Sequence, residues 1–490
     1  MQKNLSQLLS AIMIEEIRGR KDREIASLTA DSRQATEGSM FVAVRGVNVD
    51  GHDYIPTLPL NVGAVVCERF PEVTHSDITY IRVSNSAVAL GFLASEWYDN
   101  PSRHLDLVGV TGTNGKTTTA TLLYEMARLM GEKAGLLSTV VNYVDTTPVE
   151  AHQTTPDPIT IHKLLAQMVE AGCSFAAMEV SSHAADQHRI AGLHFRGGVF
   201  SNLTRDHLDY HKTFDAYLRA KQSFFDILPA SAFALTNIDD KVGRVMVQNT
   251  PAKVSTYSLR EHANFTGHIV EERLDGTVVK FNGQEVHTRF TGRFNVYNLT
   301  AVYGASILMG WDRDDVLVAM SQLVPVAGRF QTLSAPAGYT VIVDYAHTPD
   351  AVVNVLQTIR EVIGENGHVT TVVGAGGNRD KGKRPIMASE AARLSDYVIL
   401  TSDNPRFEKP EDILADMVAG LTAADRERTK VIVDRREAIA RACADAQPGD
   451  VILIAGKGHE DYQEIEGVKH PFDDRKVAIE CMGAQNQPVA

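Results

Sequence analysis

The chain has 490 residues, 44% hydrophobic and 22% charged, a composition typical of a globular protein with large buried cores. A formal net charge of −13 argues against nucleic acid or an anionic membrane surface as the main partner, so any phosphate site must be local. The four cysteines lack paired or metal-ligand spacing, and no signal segment or apolar run of about 18 residues is present. We therefore expect a soluble, cytoplasmic protein with reduced thiols and about three domains.

Residues 1–101 alternate short apolar runs with a helical pattern, which predicts an amino-terminal α/β domain. Strands are expected at 39–44, 63–67 and 78–83, and a helix at 87–97. The polar segment 99–102 contains a proline and predicts a domain boundary. Asp31-Ser32-Arg33 precedes the first of these strands, and its residue types favour a turn over a ligand loop.

The most informative stretch is a glycine-rich turn between a predicted strand at 105–110 and a predicted helix at 117–130. It reads Gly112-Thr113-Asn114-Gly115-Lys116-Thr117, followed by Thr118. Glycines let backbone amides close around phosphate oxygens, the helix N-terminus adds partial positive charge, the lysine reaches the outer phosphates, and a threonine hydroxyl suits magnesium. The general phosphate-loop pattern would place its first glycine at Val110, but a nucleotide site is favoured over a turn without a ligand.

Two later segments carry acids and imidazoles directly after predicted strands. Strand 175–180 ends at Glu179, where open α/β sheets bind ligands, so a metal bound to nucleotide phosphates is favoured over a solvated carboxylate. After strand 199–203, the segment 204–211 contains Asp206 and His207. A magnesium or water-ordering role fits it better than zinc, whose usual ligand spacing is missing. Lys221, in a predicted helix at 214–226, is by pattern alone a solvated surface residue.

The predicted secondary structure changes twice in the remainder of the chain. Residues 253–291 predict β-structure with hairpin turns at 275–276 and 282–283, and a helical stretch begins at 293. Arg329 follows as a candidate phosphate clamp. Strands are then expected at 341–344, 369–373, 397–400, 430–433 and 451–454, mostly with helices between them. This alternation predicts a doubly wound parallel sheet, and polar loops at 344–350, 378–384, 403–406 and 456–461 predict a second binding surface at its carboxyl edge.

Taken together, these motifs resemble the Mur ligases, the ATP-dependent amide-forming enzymes of peptidoglycan assembly. The resemblance rests on the phosphate loop, 179–183, Asp206-His207, 295–298, Gly328-Arg329 and 344–349, in the family's order. It implies an α/β fold with three domains: an amino-terminal UDP-sugar-binding domain (1–101), a central phosphate-loop ATPase domain with a parallel sheet and a small antiparallel part (102–330), and a carboxy-terminal Rossmann-like, amino-acid-binding domain (331–490). Folylpolyglutamate synthases share part of the ATPase core but fit the first domain and the later loops poorly.

The resemblance also implies roles for individual residues. ATP would be bound by Gly112, Thr113, Asn114, Gly115, Lys116, Thr117, Thr118, Asn295, Arg329, Asp344 and His347. The nucleotide-sugar peptide would be bound by Ser32, Thr154, Thr155, Ser181, Gln187 and Arg189, with a weaker match at 47–49. The implied catalytic residues are Lys116, Glu179, His207 and Lys221, and the implied magnesium ligands are Thr117, Glu179, His207 and Lys221. For the last of these to bind a metal, the resemblance implies carbamylation to N6-carboxylysine.

The loop Asp403-Asn404-Pro405-Arg406 resembles that of the members that add meso-diaminopimelate to UDP-N-acetylmuramoyl-L-alanyl-D-glutamate. The distal end of meso-diaminopimelate carries a carboxylate and an ammonium, whereas lysine ends in an ammonium alone, so the Arg406 fork suits the former. Lysine addition is the alternative within the family. The resemblance further implies that Arg379, Gly456 and Glu460 contact the added amino acid.

The implied reaction has two steps. The γ-phosphoryl of ATP moves to the side-chain carboxylate of D-glutamate, and the incoming amine displaces phosphate from the acyl phosphate. The implied state is a monomer with small-molecule substrates. A nucleotide switch or motor would instead turn over ATP without a sugar peptide, and a scaffold that had lost catalysis would be expected to lack Lys116, Glu179 or His207.

Overall fold

The computed structural model of the chain describes residues 2–47, 49–364 and 367–483, with the side chain of Asp209 left out. Asn48, in the weakly matched loop 47–49, lies outside the described residues. The chain forms two compact units, Met1–Tyr257 with Gly304–Trp311, and Ser258–Tyr303 with Asp312–Ala490. The boundaries predicted for the three domains stay predictions. In the described ranges no helix combines the length and apolar character needed to cross a bilayer, and all four cysteines are free thiols.

The first unit begins with an α/β layer made of β1 (Lys3–Asn4), α1 (Leu5–Leu9), β2 (Glu16–Arg18), β3 (Glu24–Ile25), β4 (Ser27–Thr29), β5 (Ser39–Val42), β6 (Ala64–Cys67), β7 (Thr79–Arg82) and α2 (Ser86–Trp97). Its sheet has the order β2-β7-β6-β5-β4, parallel from β4 to β7 and antiparallel at β2. Every residue of β5 and β6 is buried, as in strands covered on both faces. The predicted α/β character of this part is confirmed.

The rest of the first unit surrounds a second sheet, with β8 (Asp106–Thr111), α3 (Lys116–Leu129), β9 (Ala134–Leu137), β10 (Val141–Val144), β11 (Thr147–Glu150), α4 (Pro158–Glu170), β12 (Phe175–Glu179), α5 (Ser182–Asp186), β13 (Gly197–Phe200), α6 (Leu208–His211), α7 (Phe214–Asp226), β14 (Phe233–Asn237), α8 (Gly243–Met246) and β15 (Lys253–Ser258). The order is β11-β10-β9-β12-β8-β13-β14-β15. β9, β12, β8, β13, β14 and β15 run parallel to one another. β10 and β11 form an antiparallel hairpin that pairs with the edge of β9. Because β8 lies between β12 and β13, the loops after these three strands meet at one edge.

The sequence patterns predicted β8, α3, β12, β13 and α7 but missed β9, the β10–β11 hairpin and β14. Residues 147–150, for which no strand was predicted, form β11. At Gly135 in β9, a Cβ would lie 2.2 Å from the Met168 sulfur, so the packing requires glycine. Glycine is uncommon within strands, and it therefore weakens the apolar pattern by which a strand is predicted.

The second unit contains β16 (Phe265–Arg273), β17 (Gly276–Phe281), β18 (Gln284–Thr288), α10 (Arg313–Gln322), β19 (Gln331–Ser334), β20 (Thr340–Asp344), α11 (Pro349–Ile363), β21 (Val369–Val373), α12 (Lys383–Leu394), β22 (Tyr397–Leu400), α13 (Pro410–Val418), α14 (Ala423–Glu427), β23 (Thr429–Val431), α15 (Arg435–Asp445), β24 (Val451–Ala455), β25 (Tyr462–Ile465), β26 (Val468–Pro471) and α16 (Asp474–Cys481). Helix α9 (Arg293–Met309) has residues in both units. β16, β17 and β18 form the predicted antiparallel part. The second turn lies at the predicted 282–283, whereas the first lies at 274–275, one residue before the predicted position, because Gly276 already pairs with Arg273.

The carboxy-terminal sheet has the order β19-β20-β24-β21-β22-β23. Its five strands from β20 to β23 are parallel, which confirms the predicted doubly wound sheet, and β19 adds an antiparallel edge. One apolar cluster packs α11, α12 and α13 against one face, and another packs α15 and α16 against the other. The loops after β20, β21, β22 and β24 therefore share one edge, as predicted.

A buried ion pair joins α15 to α16. The Arg435 guanidinium donates to both Asp474 carboxylate oxygens at 2.7 Å, and neither side chain is exposed. Arg435 also donates to the Ala455 carbonyl oxygen at the end of β24 (3.0 Å). The pair thus fixes the two helices against the sheet edge that carries the polar loops.

We predict that Asp474→Ala lowers the free energy of unfolding by about 3–5 kcal/mol, because it leaves the buried Arg435 charge without its partner. The matched control is Glu480→Ala, which breaks the exposed Arg436–Glu480 pair between the same two helices and should cost less than about 1 kcal/mol. Urea denaturation followed by circular dichroism measures both. Equal losses would show that burial does not set the strength of this contact.

Candidate active site

The glycine-rich turn lies between β8 and α3 and is braced by residues that follow β13. Asn202 Oδ1 accepts from the Asn114 backbone N–H (2.9 Å), and Asn202 Nδ2 donates to the Asn114 carbonyl oxygen (3.0 Å). Ser201 Oγ donates to the same carbonyl (2.6 Å). A Cβ on Gly112 would lie 1.9 Å from Ser201 Oγ, and Gly115 (φ +85°) begins α3. Only glycine fits the first position, and the braces hold the loop in one conformation.

Ser201 and Asn202 were missed as part of this site. The available signal was their position directly after a strand, in the same sheet as the strand before the glycine-rich turn. Thr113 in the turn is held similarly, since its hydroxyl accepts from the Thr204 N–H (2.9 Å) and lies 3.0 Å from the Tyr217 hydroxyl.

Two lysine ammonium groups meet at one backbone oxygen of this loop. Lys116 Nζ donates to the carbonyl oxygens of Gly112 (3.0 Å) and Thr113 (2.9 Å), and Lys221 Nζ donates to the same Gly112 oxygen (2.7 Å). Burial, and next the charge of Lys116, lower the pKa of Lys221 well below its ordinary value. The loop therefore brings two lysine amines to a single carbonyl, and their proximity disfavours the charged form of Lys221.

The prediction from pattern alone that Lys221 is solvated was wrong, because its side chain is only 1% exposed. Lys221 lies on the inward face of α7 with Tyr217, Phe224 and Phe225, at helical spacing. That spacing was the signal that the residue faces the interior.

Glu179, at the end of β12, is a buried carboxylate with one satisfied oxygen. Oε1 accepts from the backbone N–H (2.7 Å) and hydroxyl (3.0 Å) of Thr139, a residue that sequence analysis missed. Oε2 is buried and has no hydrogen-bond partner among the residues that the structure describes. A buried carboxylate oxygen without a donor is costly unless a cation or ligand satisfies it. The arrangement fits a hard metal ion, for which carboxylate oxygen is a preferred ligand.

His207 precedes the short helix α6 and has a left-handed backbone (φ +53°), an uncommon conformation for a non-glycine residue. Its ring contacts that of His183, with centroids 4.9 Å apart, and burial lowers the pKa of His207 to about 4. Within the described side chains, no group of three or more His, Cys, Asp or Glu residues could hold a metal ion.

Five residues predicted for the sugar peptide lie in one connected network. Thr155 Oγ1 accepts from the Ser181 N–H (3.1 Å), and the Arg189 guanidinium donates to the Thr155 carbonyl (2.8 Å) and to Gln187 Oε1. Thr154 joins through the hydroxyl of Thr139 (3.1 Å). Thr139 also donates to Glu179, so the network extends to the Glu179 carboxylate.

Ser32 lies elsewhere in the first unit. It begins a 3-10 helix (Ser32–Gln34) whose N-cap is Asp31, so the predicted turn is confirmed. Among the described residues, no hydrogen bond joins it to the network above. Its assignment to the sugar peptide stays a prediction.

The remaining residues predicted for ATP lie around β20 and at the start of α9. Asp344 accepts from the N–H groups of Phe330 (2.6 Å) and Ala346 (2.8 Å), and burial raises the pKa of its carboxyl. The Arg329 guanidinium lies 4.5 Å from the centre of the Tyr345 ring, a cation–π contact. His347 Nδ1 lies 2.9 Å from the Tyr345 carbonyl oxygen, and Asn295 Nδ2 donates to the Thr291 carbonyl (2.8 Å). The carboxylate of Asp344 thus orders the loop that carries Arg329.

Arg406 is held in a defined position by the β25 strand, which sequence analysis did not predict. Its backbone is left-handed (φ +52°), and its N–H donates to the Glu464 carbonyl (3.0 Å). Nη1 donates to the Gly377 carbonyl (2.9 Å), and Nε lies 3.3 Å from Glu464 Oε2. The guanidinium is thereby fixed on two of its nitrogens.

Asn404 and Glu460 are brought together beside it. Glu460 Oε2 accepts from Asn404 Nδ2 (2.6 Å) and from Lys457 Nζ (3.0 Å), the latter a buried lysine. A Cβ on Gly456 would lie 2.5 Å from Asp403 Oδ2, so these two segments touch. The Pro405 carbonyl oxygen packs directly against Gly377, where an added Cβ would lie only 1.9 Å from it. The 403–406 loop therefore contacts the loop that follows β21.

Arg379 is the exposed member of the set predicted for the amino acid. Its Cγ would lie 3.7 Å from a Cβ on Gly376, and Arg406 Nη1 would lie 3.0 Å from the same point. The absence of a side chain at 376 therefore lets the two arginines approach each other.

Comparison with known proteins gives three matching family models: "Mur ligase family, catalytic domain" over residues 24–98, "Mur ligase middle domain" over 110–306 and "Mur ligase, glutamate ligase domain" over 328–458. The chain is 59% identical to UDP-N-acetylmuramoyl-L-alanyl-D-glutamate--2,6-diaminopimelate ligase of Parabacteroides distasonis, covering 98% of this chain and 99% of the relative. A ligase of that name from Geobacillus kaustophilus is 41% identical, covering 93% and 94%.

Solved structures agree on the fold. A ligase of the same name has a TM-score of 0.72 at 32% identity, covering 99% of both chains. A MurF ligase of Thermotoga maritima, solved in complex with ADP, has a TM-score of 0.60 at 20% identity, covering 93% of this chain and 96% of that one. The parallel sheet and its glycine-rich turn define a protein of the phosphate-loop class. The chain belongs to the Mur ligase family, whose members are ATP-dependent enzymes that form amide bonds.

We predict that Gly112→Ala weakens ADP binding at least about tenfold, because the new methyl group would overlap Ser201 Oγ and displace the loop. The control is Gly131→Ala at the other end of α3, a residue that also has a positive φ but has open space around its Cβ position. Isothermal titration calorimetry with ADP measures both. Unchanged binding by Gly112→Ala would contradict the assignment of this loop to phosphate.

Proposed function

We propose that the chain is an ATP-dependent ligase that adds meso-diaminopimelate to the D-glutamate of UDP-N-acetylmuramoyl-L-alanyl-D-glutamate, in cytoplasmic peptidoglycan precursor synthesis. The observation that carries the proposal is the fixed Arg406 beside Asn404 and Glu460, in a chain 59% identical from end to end to a ligase named for diaminopimelate. Its substrates are small molecules, and we propose that it acts as a monomer.

The amino acid is selected by charge at its distal end. Arg406 presents a planar fork suited to a carboxylate, and Glu460 presents a carboxylate suited to an ammonium. Asn404 and Lys457 both bond to Glu460 Oε2, which leaves Oε1 as the oxygen for the ammonium. Lysine would satisfy Glu460 but bring no distal carboxylate to the Arg406 fork, so the lysine-adding reaction is the less favoured alternative.

The first step transfers the γ-phosphoryl of ATP to the free carboxylate of D-glutamate, forming an acyl phosphate and ADP. The ammonium of Lys116 lies at the loop where phosphates would bind and stabilises charge on the transferring group. We propose that Asn295, Arg329, Asp344 and His347 also serve ATP. Thr154, Thr155, Ser181, Gln187 and Arg189, with Ser32, serve the sugar peptide.

In the second step the neutral amine of diaminopimelate attacks the activated carbonyl carbon. An amide bond forms, the bond from carbon to phosphate oxygen breaks, and inorganic phosphate leaves. A proton is lost from the amine, so ADP and phosphate are the products. These two steps are supported by membership of the Mur ligase family, whose enzymes form amide bonds with ATP.

The unsatisfied Oε2 of Glu179 fits magnesium, and we propose that Thr117 and Glu179 would hold one ion. Glu179, His207 and carbamylated Lys221 would hold another. Magnesium supplies charge neutralisation for the phosphates. Carbamylation begins when the Lys221 ammonium loses one proton. The neutral Nζ then forms an N–C bond to carbon dioxide and loses a second proton, so that an anion replaces a cation. It also removes a like charge from beside Lys116, since both nitrogens contact the Gly112 oxygen. The carbamate is thus favoured by the same crowding that disfavours the ammonium.

We predict that phosphate release from ATP and magnesium requires both UDP-N-acetylmuramoyl-L-alanyl-D-glutamate and meso-diaminopimelate, and that L-lysine does not replace the latter. Arg406→Lys should raise the KM for diaminopimelate about 10- to 100-fold, because an ammonium cannot bind a carboxylate through two parallel bonds. Arg393→Lys, on the exposed surface of α12, is the control and should change nothing. A continuous assay of released phosphate gives each constant.

The outcomes separate the alternatives. Release with lysine instead of diaminopimelate would leave the ligase reaction intact and overturn the role of Arg406. Release without any sugar peptide would favour a nucleotide switch. No release with either amino acid, by protein that binds ADP, would contradict the ligase proposal.

We predict that Lys221→Ala lowers ligation at least about a hundredfold and that added formate or acetate partly restores it, because a free carboxylate can take the place of the carbamate. Lys163→Ala, which removes an exposed lysine of α4, is the control and should keep wild-type activity. Isotope-labelled bicarbonate, followed by NMR, should show a carbamate signal in wild type and in Lys163→Ala only. Full activity of Lys221→Ala would remove the carbamate from the reaction.

A further inference from the structure

Arg384 is completely buried, although the sequence around it, Lys381-Gly382-Lys383-Arg384, is typical of an exposed basic loop. Its Nη1 donates to Glu408 Oε2 (3.0 Å) and Asp416 Oδ2 (2.8 Å). Its Nη2 donates to Glu408 Oε1 (2.9 Å) and to the Gly376 carbonyl (3.3 Å). The pairing with Glu408 is bidentate, the geometry in which an arginine holds a carboxylate most firmly.

Glu408 connects the two loops that carry the arginines proposed for diaminopimelate. Its Oε1 accepts from the backbone N–H of Asn378, the residue before Arg379. Its own N–H donates to the Pro405 carbonyl (3.0 Å), beside Arg406. Arg384, chiefly by its hydrogen bonds, lowers the pKa of Glu408 to about 2, so the carboxylate is ionised wherever the enzyme works. One charged pair therefore reaches both loops.

Both loops are strained at the residues that these contacts hold. Asn378 (φ +53°) and Arg406 (φ +52°) are non-glycine residues with left-handed backbones. Such conformations cost free energy and persist only where the surroundings hold them. Asn378 Oδ1 additionally accepts from the Phe407 N–H (3.0 Å), so the two strained segments are bonded directly as well. The strained residues, the hydrogen bonds between them and the contacts of the Arg384–Glu408 pair all lie in the segments 376–379 and 405–408.

We propose that Arg384 and Glu408 are positioning residues that fix Arg379 relative to Arg406 and thereby set the affinity and selectivity for the distal end of the added amino acid; this rests on the function proposed above. Neither residue contacts substrate in the proposal. Their effect passes through the Gly376 carbonyl, the Asn378 N–H and the 405–408 turn. Two guanidinium groups at a fixed separation bind one carboxylate in one orientation.

A purely structural role would be to join α12 to α13, and Asp416 distinguishes the two possibilities. Asp416 lies on α13 and binds the same Arg384, but among the described residues it makes no hydrogen bond to either loop. Loss of either carboxylate removes a partner from the buried guanidinium. Only loss of Glu408 also releases the loops.

The test compares Glu408→Gln with Asp416→Asn in the full-length chain. Glu408→Gln should raise the KM for meso-diaminopimelate about tenfold or more, leave the KM values for ATP and the sugar peptide within about twofold, and affect kcat less. Asp416→Asn should leave all three KM values near wild type, with a fall in Tm similar to that of Glu408→Gln. Arg384→Lys, which keeps the charge but loses the fork, should resemble Glu408→Gln.

Amide hydrogen exchange supplies a readout that does not depend on turnover. Residues 376–379 and 405–408 should exchange faster in Glu408→Gln than in Asp416→Asn. Equal exchange in the two variants, a KM for diaminopimelate that stays unchanged in Glu408→Gln, or an equal rise in all three KM values would overturn the proposal. Lack of diaminopimelate-dependent phosphate release by wild type would instead contradict the proposed function, and the exchange data would still decide whether Glu408 positions the loops.

Discussion

Two ammonium groups share one backbone carbonyl oxygen, that of Gly112, and much of the first unit is organised around this contact. Like charges so close, one of them buried, are unfavourable unless anions are added nearby. Phosphate oxygens on the loop and a carbamate on Lys221 would each supply such an anion. The Asp206 carboxylate opposes the lowering of the Lys221 pKa without cancelling it, so an added anion is favoured at this site.

Topology explains why the complementary anion lies close by. β12 is hydrogen-bonded directly to β8, so Glu179 at the end of one strand is next to the glycine-rich turn at the end of the other. The Thr139 hydroxyl and N–H satisfy only one of its oxygens, which leaves the second for a cation. Neighbouring parallel strands thus supply a basic loop and a carboxylate at one sheet edge without any long-range fitting.

The sequence was sufficient for features that depend on local pattern. The strand–turn–helix around Lys116 and the parallel sheet after residue 340 follow from apolar periodicity and glycine placement, and the structure has both. Lys221 shows the limit, because a single lysine in a helix is usually solvated and only its phase relative to Tyr217 and Phe224 indicated burial. Thr139, Asn202 and Glu464 were missed for another reason: each acts through a hydrogen bond to a residue far away in the chain, which no local pattern encodes.

The second unit shows how charges can specify geometry where apolar packing cannot. Loops at a sheet edge have few apolar contacts, and their backbone groups must find other partners. Arg435 bonds the carbonyl at the end of β24 and pairs with Asp474, while Arg384 bonds the carbonyl of Gly376 and pairs with Glu408. A buried ion pair contributes little net stability compared with apolar residues of the same volume, yet its directional bonds admit few arrangements. These two guanidinium groups bond to the end of β24 and to the segments after β21 and β22, and they are therefore better explained by the need for a fixed binding geometry than by the need for a stable fold.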